Sequence, residues 1–278
     1  MKSFLKQTLV ILLSVILITG CRKDKDKGDP PVLPPSESML IDFSNFLPGK
    51  KSDSFDAFKG TPTSNWDYAS GVALIWRAVI NTTLAVPVKA FQLAIGKTPV
   101  YIDDNTWQWK YDASISIDNV TITYKARLTG QVRDNDVLWK MYLAKEGTNP
   151  FSEFIWFEGT SLKDRTGGQW TLKQGPADQV PILRIDWTGT GSDISTVKYT
   201  YIRNDNPFKD SYIEFGHGIS GPYNAYYNIN FLENDQFADV EVKWNTSDKT
   251  GRVRAPLHFP TSDWYCWDGN FNNVECEF

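Results

Sequence analysis

Between residues 107 and 244 apolar and polar positions take turns along most of the chain. Trp107, Trp109 and Tyr111 alternate with Gln108 and Lys110, and Val120, Ile122, Tyr124, Ala126 and Leu128 alternate with Thr121, Thr123, Lys125, Arg127 and Thr129. The same two-residue period runs through 137–143, 183–187, 197–201, 225–231 and 240–244. Successive side chains of a strand leave opposite faces, so each segment predicts a strand with one buried and one wet face. One-sided strands are the mark of an antiparallel sheet. Phe154-Ile155-Trp156-Phe157 is apolar on both faces and is expected at the centre. Turn clusters such as Asp103-Asp104-Asn105, Asp134-Asn135-Asp136 and Asn204-Asp205-Asn206 punctuate the strands, as a meander or barrel requires.

One stretch departs from the period of two. Residues 87–95 predict a helix, with Pro87 at its first position and Gly96 placed to end it. The preceding 71–84 fits two patterns. Val72, Ile75, Trp76, Val79 and Ile80 make a helical stripe, while Val72, Leu74, Trp76, Ala78 and Ile80 also alternate. The helical segment is therefore placed near 72–95, with 71–84 open between helix and strand.

These elements predict a mainly β protein. The expected form is a single antiparallel curved sheet, half-barrel or sandwich, with a short helical segment, in one β-rich domain over residues 39–278. A sheet with one apolar face must cover it with another sheet, a helix or a ligand. A curved sheet with a helix on its concave side resembles the unclosed barrels of periplasmic lipoprotein-carrier proteins, which cradle acyl chains. That resemblance implies a hydrophobic or lipid-like ligand between sheet and helix.

The N-terminus changes the picture from a free domain to an anchored one. Lys2 and Lys6 precede an apolar run from Thr8 to Ile18, too short to span a bilayer comfortably, with no acidic residue before Asp24. This predicts a signal peptide over residues 1–20. Ile18-Thr19-Gly20-Cys21 resembles the lipobox of bacterial lipoproteins, and the resemblance makes Cys21 the lipid attachment site. Acyl chains on Cys21 would hold the mature chain on a membrane. Arg22 stands where proteobacterial lipoproteins carry an inner-membrane-retaining Asp, which favours the outer membrane. The charged run to Lys27 is similar to the surface-export signals of Bacteroidota lipoproteins, so the domain would face the periplasm or the cell surface. Residues 21–38, with Pro30, Pro31, Pro34 and Pro35, read as a charged, stiffened tether reaching roughly 50 Å at ~3.1 Å per residue.

Charge and cysteines narrow the partners. Removing the signal leaves a net charge of −6, because Lys2 and Lys6 leave a chain of −4. An acidic surface excludes nucleic acid as the expected partner. With Cys21 lipidated, Cys266 and Cys276 are an even pair in an oxidising compartment and are expected to form a disulfide.

Candidate chemistry is sparse. Gly216-His217-Gly218-Ile219-Ser220-Gly221 has the spacing of a dinucleotide loop, but Pro222 and a strand follow it where a helix is needed, so it reads as a hairpin turn. His217 and His258 lack an Asp or Cys at triad or zinc spacing and read as loop residues. Glu153 and Glu158 are five apart, an odd separation, so on a regular strand they leave opposite faces and cannot share one sugar. Asp268, Asn270 and Asn272 copy the first half of a calcium loop, though a disulfide-stapled turn explains them without metal. Most of the eleven tryptophans occupy apolar strand positions, where packing is expected. Trp264, Tyr265, Trp267, Trp66 and Tyr68 lie in irregular stretches and could stack on sugar. No acid, base or nucleophile constellation emerges, so neither catalysis, a metal nor a cofactor is expected. The leading expectation is an outer-membrane-anchored, non-catalytic binder of a hydrophobic or lipid-like ligand. The alternatives are a surface glycan-binding module and a structural or interaction lipoprotein.

Overall fold

The computed structural model describes residues 27–47, 64–117, 119–233 and 235–277. The expected signal peptide, Cys21 and the charged run to Asp26 lie outside the described residues. Among the described residues fourteen strands pair strictly in chain order into one antiparallel sheet that does not close into a barrel. They are β1 (Val100–Asp103), β2 (Thr106–Ile117), β3 (Val120–Val132), β4 (Asp136–Lys145), β5 (Phe151–Leu162), β6 (Gly167–Lys173) and β7 (Pro181–Gly189). Then follow β8 (Ile194–Tyr201), β9 (Tyr212–His217), β10 (Ala225–Glu233), β11 (Gln236–Trp244), β12 (Gly251–Arg254), β13 (Tyr265–Trp267) and β14 (Asn273–Val274). The alternation set the strand phase: in β3 Tyr124, Ala126 and Leu128 are buried, while Lys125 and Thr123 are exposed.

Large rings line the apolar face, and glycines on neighbouring strands make room for them. A Cβ on Gly159 would come within 2.6 Å of Trp170, and one on Gly130 within 2.6 Å of Trp139. The register sets Gly130, Trp139, Gly159 and Trp170 side by side across β3 to β6, so indoles alternate with glycines in one row.

The helix is a single unit, α1 (Asn65–Ala94), longer than the segment expected near 72–95. Residues 71–84 are thus helical. Ser64 caps it, its side chain accepting from the Asp67 N–H at 3.1 Å. Tyr68, Val72, Trp76, Ile80, Leu84, Val88 and Phe91 form the buried stripe, spaced by three or four. Pro87 does not begin a helix but lies inside one. The proline lacks the N–H that would reach the Thr83 carbonyl. Burial of Pro87, Val88, Ala90 and Phe91 against the sheet offsets that loss. At 1.5 Å per residue α1 is about 45 Å long. It touches β2 and β3 near one end and β12 and β13 near the other, so the sheet curls around it.

The N-terminal segment is the second correction. Residues 31–47 are not a free tether or a mere lead-in: Pro34, Ser38 and Met39 are buried, as are Ile41, Phe43 and Phe46. The segment crosses the strands in order. Pro31 meets the Gly130 position on β3, Ser38 accepts from Trp170 Nε1 on β6 at 3.3 Å, and the Met39 carbonyl accepts from Tyr199 on β8 at 2.6 Å. The Asp42 carbonyl accepts from Tyr227 on β10, and Phe46 meets Trp244 on β11 edge-on at 4.8 Å. A proline-rich segment suits this place because prolines bring no N–H needing a partner.

Candidate functional site

The apolar face on which a hydrophobic ligand was expected carries the chain's own residues. The 31–47 belt crosses it in one direction. Helix α1 returns in the other, with Tyr111 donating to the Ala90 carbonyl at 2.6 Å and Phe91 packed on Phe157 and Trp170. Met39, Phe46, Phe91, Trp139, Trp170 and Tyr199 are each at most 1% exposed. Burial holds the Tyr199 hydroxyl neutral, well above the ordinary phenol range.

The five aromatics singled out in the sequence separate into three groups. Trp267 is buried and donates from its indole to the Lys249 carbonyl, and Tyr68 is buried against His258 at 3.8 Å. Tyr265 is stacked on Phe259 at 4.0 Å. These three serve packing. Trp66 and Trp264 are half-buried, and each marks a surface feature.

Trp66 opens α1 and packs against Phe271 in the β13–β14 turn, ring centroids 4.4 Å apart. The two rings line an open depression of about 410 Å³ with Ser64, Asp67, Asn272 and Asn273. The local sequence builds it. Asp268 Oδ1 accepts from the N–H groups of Asn270 and Asn272, both at 2.9 Å, and these bonds pull its carboxyl below the usual range. The turn holds Phe271 at φ +67°, a conformation that costs a bulky residue about 1–2 kcal/mol. Asn273 Oδ1 accepts from the Asn65 N–H at 2.7 Å, and Asn65 Nδ2 donates to the Cys266 carbonyl at 2.8 Å. Cys266 and Cys276 are joined in a disulfide that staples the same hairpin, with Cα atoms 5.3 Å apart. The calcium-like spacing is therefore occupied internally: Asn272 Nδ2 also donates to Asp268 Oδ2. Among the described residues no group of three or more His, Cys, Asp or Glu is arranged to hold a metal ion.

Trp264 lies on the polar face of the sheet among cations. The guanidinium carbons of Arg252 and Arg254 lie 4.2 and 4.9 Å from its ring centroid, and Lys243 Nζ lies at 5.3 Å. Arg252 is also 4.9 Å from the Tyr223 ring. Tyr223, Lys243 and Arg252 were not singled out in the sequence. Lys243 stood on the wet side of the 240–244 alternation, but the convergence of the three follows from the register of β11 with β12 and from the loop before β10.

The remaining candidates are placed without chemistry. Gly218 and Gly221 have φ of +72° and +118° in the loop between β9 and β10, a hairpin connection. His217 ends β9 beside Phe215, and His258 stacks on Tyr68. The parity argument for Glu153 and Glu158 fails, because β5 carries a bulge. Phe157 pairs with Met141 and Ile155 with Tyr142, leaving Trp156 as the extra residue. The bulge restores both glutamates to the polar face. They still make no catalytic pair, because Arg127 binds Glu153 through Nε at 2.9 Å and through its second nitrogen.

No protein-family model matches the chain, and neither a curated protein nor a solved structure is significantly similar to it. The site must be read from its own chemistry.

Proposed function

We propose that the chain is a lipid-anchored, non-catalytic module that binds glycans. The observation that carries this reading is the Trp66–Phe271 pair on an open depression rimmed by Asn272, Asn273, Asp67 and Ser64. Sugars present apolar C–H faces and a hydroxyl rim, and aromatic rings beside amides match both. A staple, an internally bonded Asp268 and a capped helix hold the rings in place, so little ordering is needed on binding. The covered apolar face weighs against a lipid-like ligand inside the sheet. The lipobox resemblance at residues 18–21 supplies the anchor, with Cys21 acylated and the domain held at the outer membrane.

The test is affinity electrophoresis and calorimetry of the mature protein across a panel of neutral polysaccharides. At least one should bind, and Trp66→Ala should weaken it by tenfold or more while leaving the circular dichroism unchanged. Full binding by the Trp66→Ala and Phe271→Ala variants would sink the assignment. The anchor is tested separately. Radiolabelled palmitate should be incorporated into the wild type and not into Cys21→Ser; labelling of both would refute Cys21 as the acceptor.

A further inference from the structure

We propose that the polar face of β11, β12 and the Trp264 segment is a subsite for the acidic groups of a glycan, with Arg252 and Lys243 as the charge-reading residues. For the sugar this rests on the glycan-binding reading; for the charge it stands on a separate set of residues.

Lys243 and Arg252 are direct register partners across β11 and β12. Like charges set opposite each other destabilise an antiparallel pair. The usual remedy is a carboxylate nearby, and those on this face are taken. Glu241 binds Arg254, Asp239 accepts from Asn230 Nδ2 at 2.7 Å, and Glu214 accepts from the Tyr226 hydroxyl at 3.0 Å. Burial and the Glu214 charge push the Tyr226 pKa up to about 12, so this hydroxyl stays a donor at neutral pH. Among the described residues neither Lys243 nor Arg252 has a carboxylate partner. The other strand arginines, Arg127, Arg184 and Arg254, each have one.

What holds Arg252 instead is aromatic. Trp264 and Tyr223 both lie within cation–π range, and its Nε is buried without a hydrogen-bond acceptor. Ring faces attract a guanidinium but do not saturate its N–H donors. The charge is thus positioned and left unneutralised, in a protein whose net charge is negative. A half-buried Trp beside two uncompensated cations suits a sugar that carries a carboxylate or a sulfate. The rings hold the guanidinium in place, and the cations take the anionic group through charge-assisted bonds. Nucleic acid offers similar groups, but the overall acidity opposes it.

The experiment is calorimetric titration of the mature protein at low salt with four polymers: polygalacturonate, dextran sulfate, neutral dextran and single-stranded DNA. The acidic glycans should bind about tenfold or more tightly than dextran, and their affinity should fall with salt. Arg252→Gln and Lys243→Gln should each remove most of that preference while leaving neutral-glycan binding at the Trp66 depression intact. The two acidic arms report which anion, carboxylate or sulfate, is preferred. Equal affinity for acidic and neutral glycans overturns the subsite and leaves the general reading standing. Binding of DNA as tight as that of the acidic glycans overturns it too, as does full preference retained in both variants. If no glycan of either kind binds, the general reading falls with it.

Discussion

Phe46 is the residue whose removal best tests how this sheet is filled. It closes the N-terminal belt, is 1% exposed, and touches three rings: Trp244 at 4.8 Å, Tyr227 at 5.4 Å and Trp267 at 6.5 Å. Its carbonyl also accepts from Ser70 on α1 at 3.1 Å, so belt and helix meet there. Phe46→Ala removes the ring and leaves a cavity walled by large aromatics that cannot collapse into it. Buried Phe-to-Ala changes cost about 3–5 kcal/mol, a figure that includes the ring–ring contacts. For a domain of this size each kcal/mol lowers Tm by about 2–4 °C, giving a drop of roughly 6–20 °C. Urea denaturation followed by tryptophan emission should report the same loss with an unchanged slope. Val32→Ala, an exposed position in the same segment, is the control and should stay within about 0.5 kcal/mol. Were Phe46→Ala to behave like Val32→Ala, the belt would not be part of the core.

Three further outcomes follow from single contacts. The Arg127 hydrogen bonds hold the Glu153 carboxyl below its usual range, so the pair stabilises the fold above the unfolded carboxylate pKa of about 4.3 and loses that contribution as pH falls through the folded value. NMR titration should show Glu153 returning upward in Arg127→Gln, with under about 1 kcal/mol of stability involved because the pair is half-exposed; no movement refutes the pairing. Gly251→Ala would drive a methyl into the Trp267 ring and to 2.8 Å from the Lys243 carbonyl oxygen, costing about 1–3 kcal/mol by thermal denaturation, and a neutral result would refute that close approach. Replacing both Cys266 and Cys276 with Ser opens a loop of ten-residue separation and should cost about 3 kcal/mol, read as a Tm drop that reducing agent reproduces in the wild type.

Strand phase was legible because burial on one side imposes a period of two on every segment that obeys it, as in 120–128 and 225–231. The bulge at Trp156 was not, because an extra residue in a run of aromatics leaves no compositional trace, and the parity of Glu153 and Glu158 went with it. The helix start was missed because Pro87 is a strong N-terminal signal, while the packing that tolerates it inside α1 is tertiary. The belt was hidden for the opposite reason. Met39, Ile41 and Phe43 alternate over too short a span, next to prolines and charges that suggest a solvated tether. At the candidate sites Trp66 and Trp264 stood out as aromatics in irregular stretches. Their partners Phe271 and Arg252 depend on a turn and on a register, neither of which local pattern reveals.

The belt also bears on whether an acyl chain could enter the sheet. An incoming lipid would have to displace residues 31–47 and break the bonds from Trp170 to Ser38, Tyr199 to Met39 and Tyr227 to Asp42. Each broken bond leaves buried polar groups unsatisfied at about 1–3 kcal/mol, so the three together cost roughly 3–9 kcal/mol before Met39 and Phe46 lose their burial. A ligand present at a hundred times its Kd for the belt-open state contributes about 2.7 kcal/mol, less than even the lowest estimate of that displacement. Palmitate below its critical aggregation concentration should therefore leave Tm unchanged or lower it. A glycan bound at the rim displaces none of these bonds and should raise Tm. A saturable rise of more than about 5 °C with palmitate would show that the belt yields and would return the ligand to the interior.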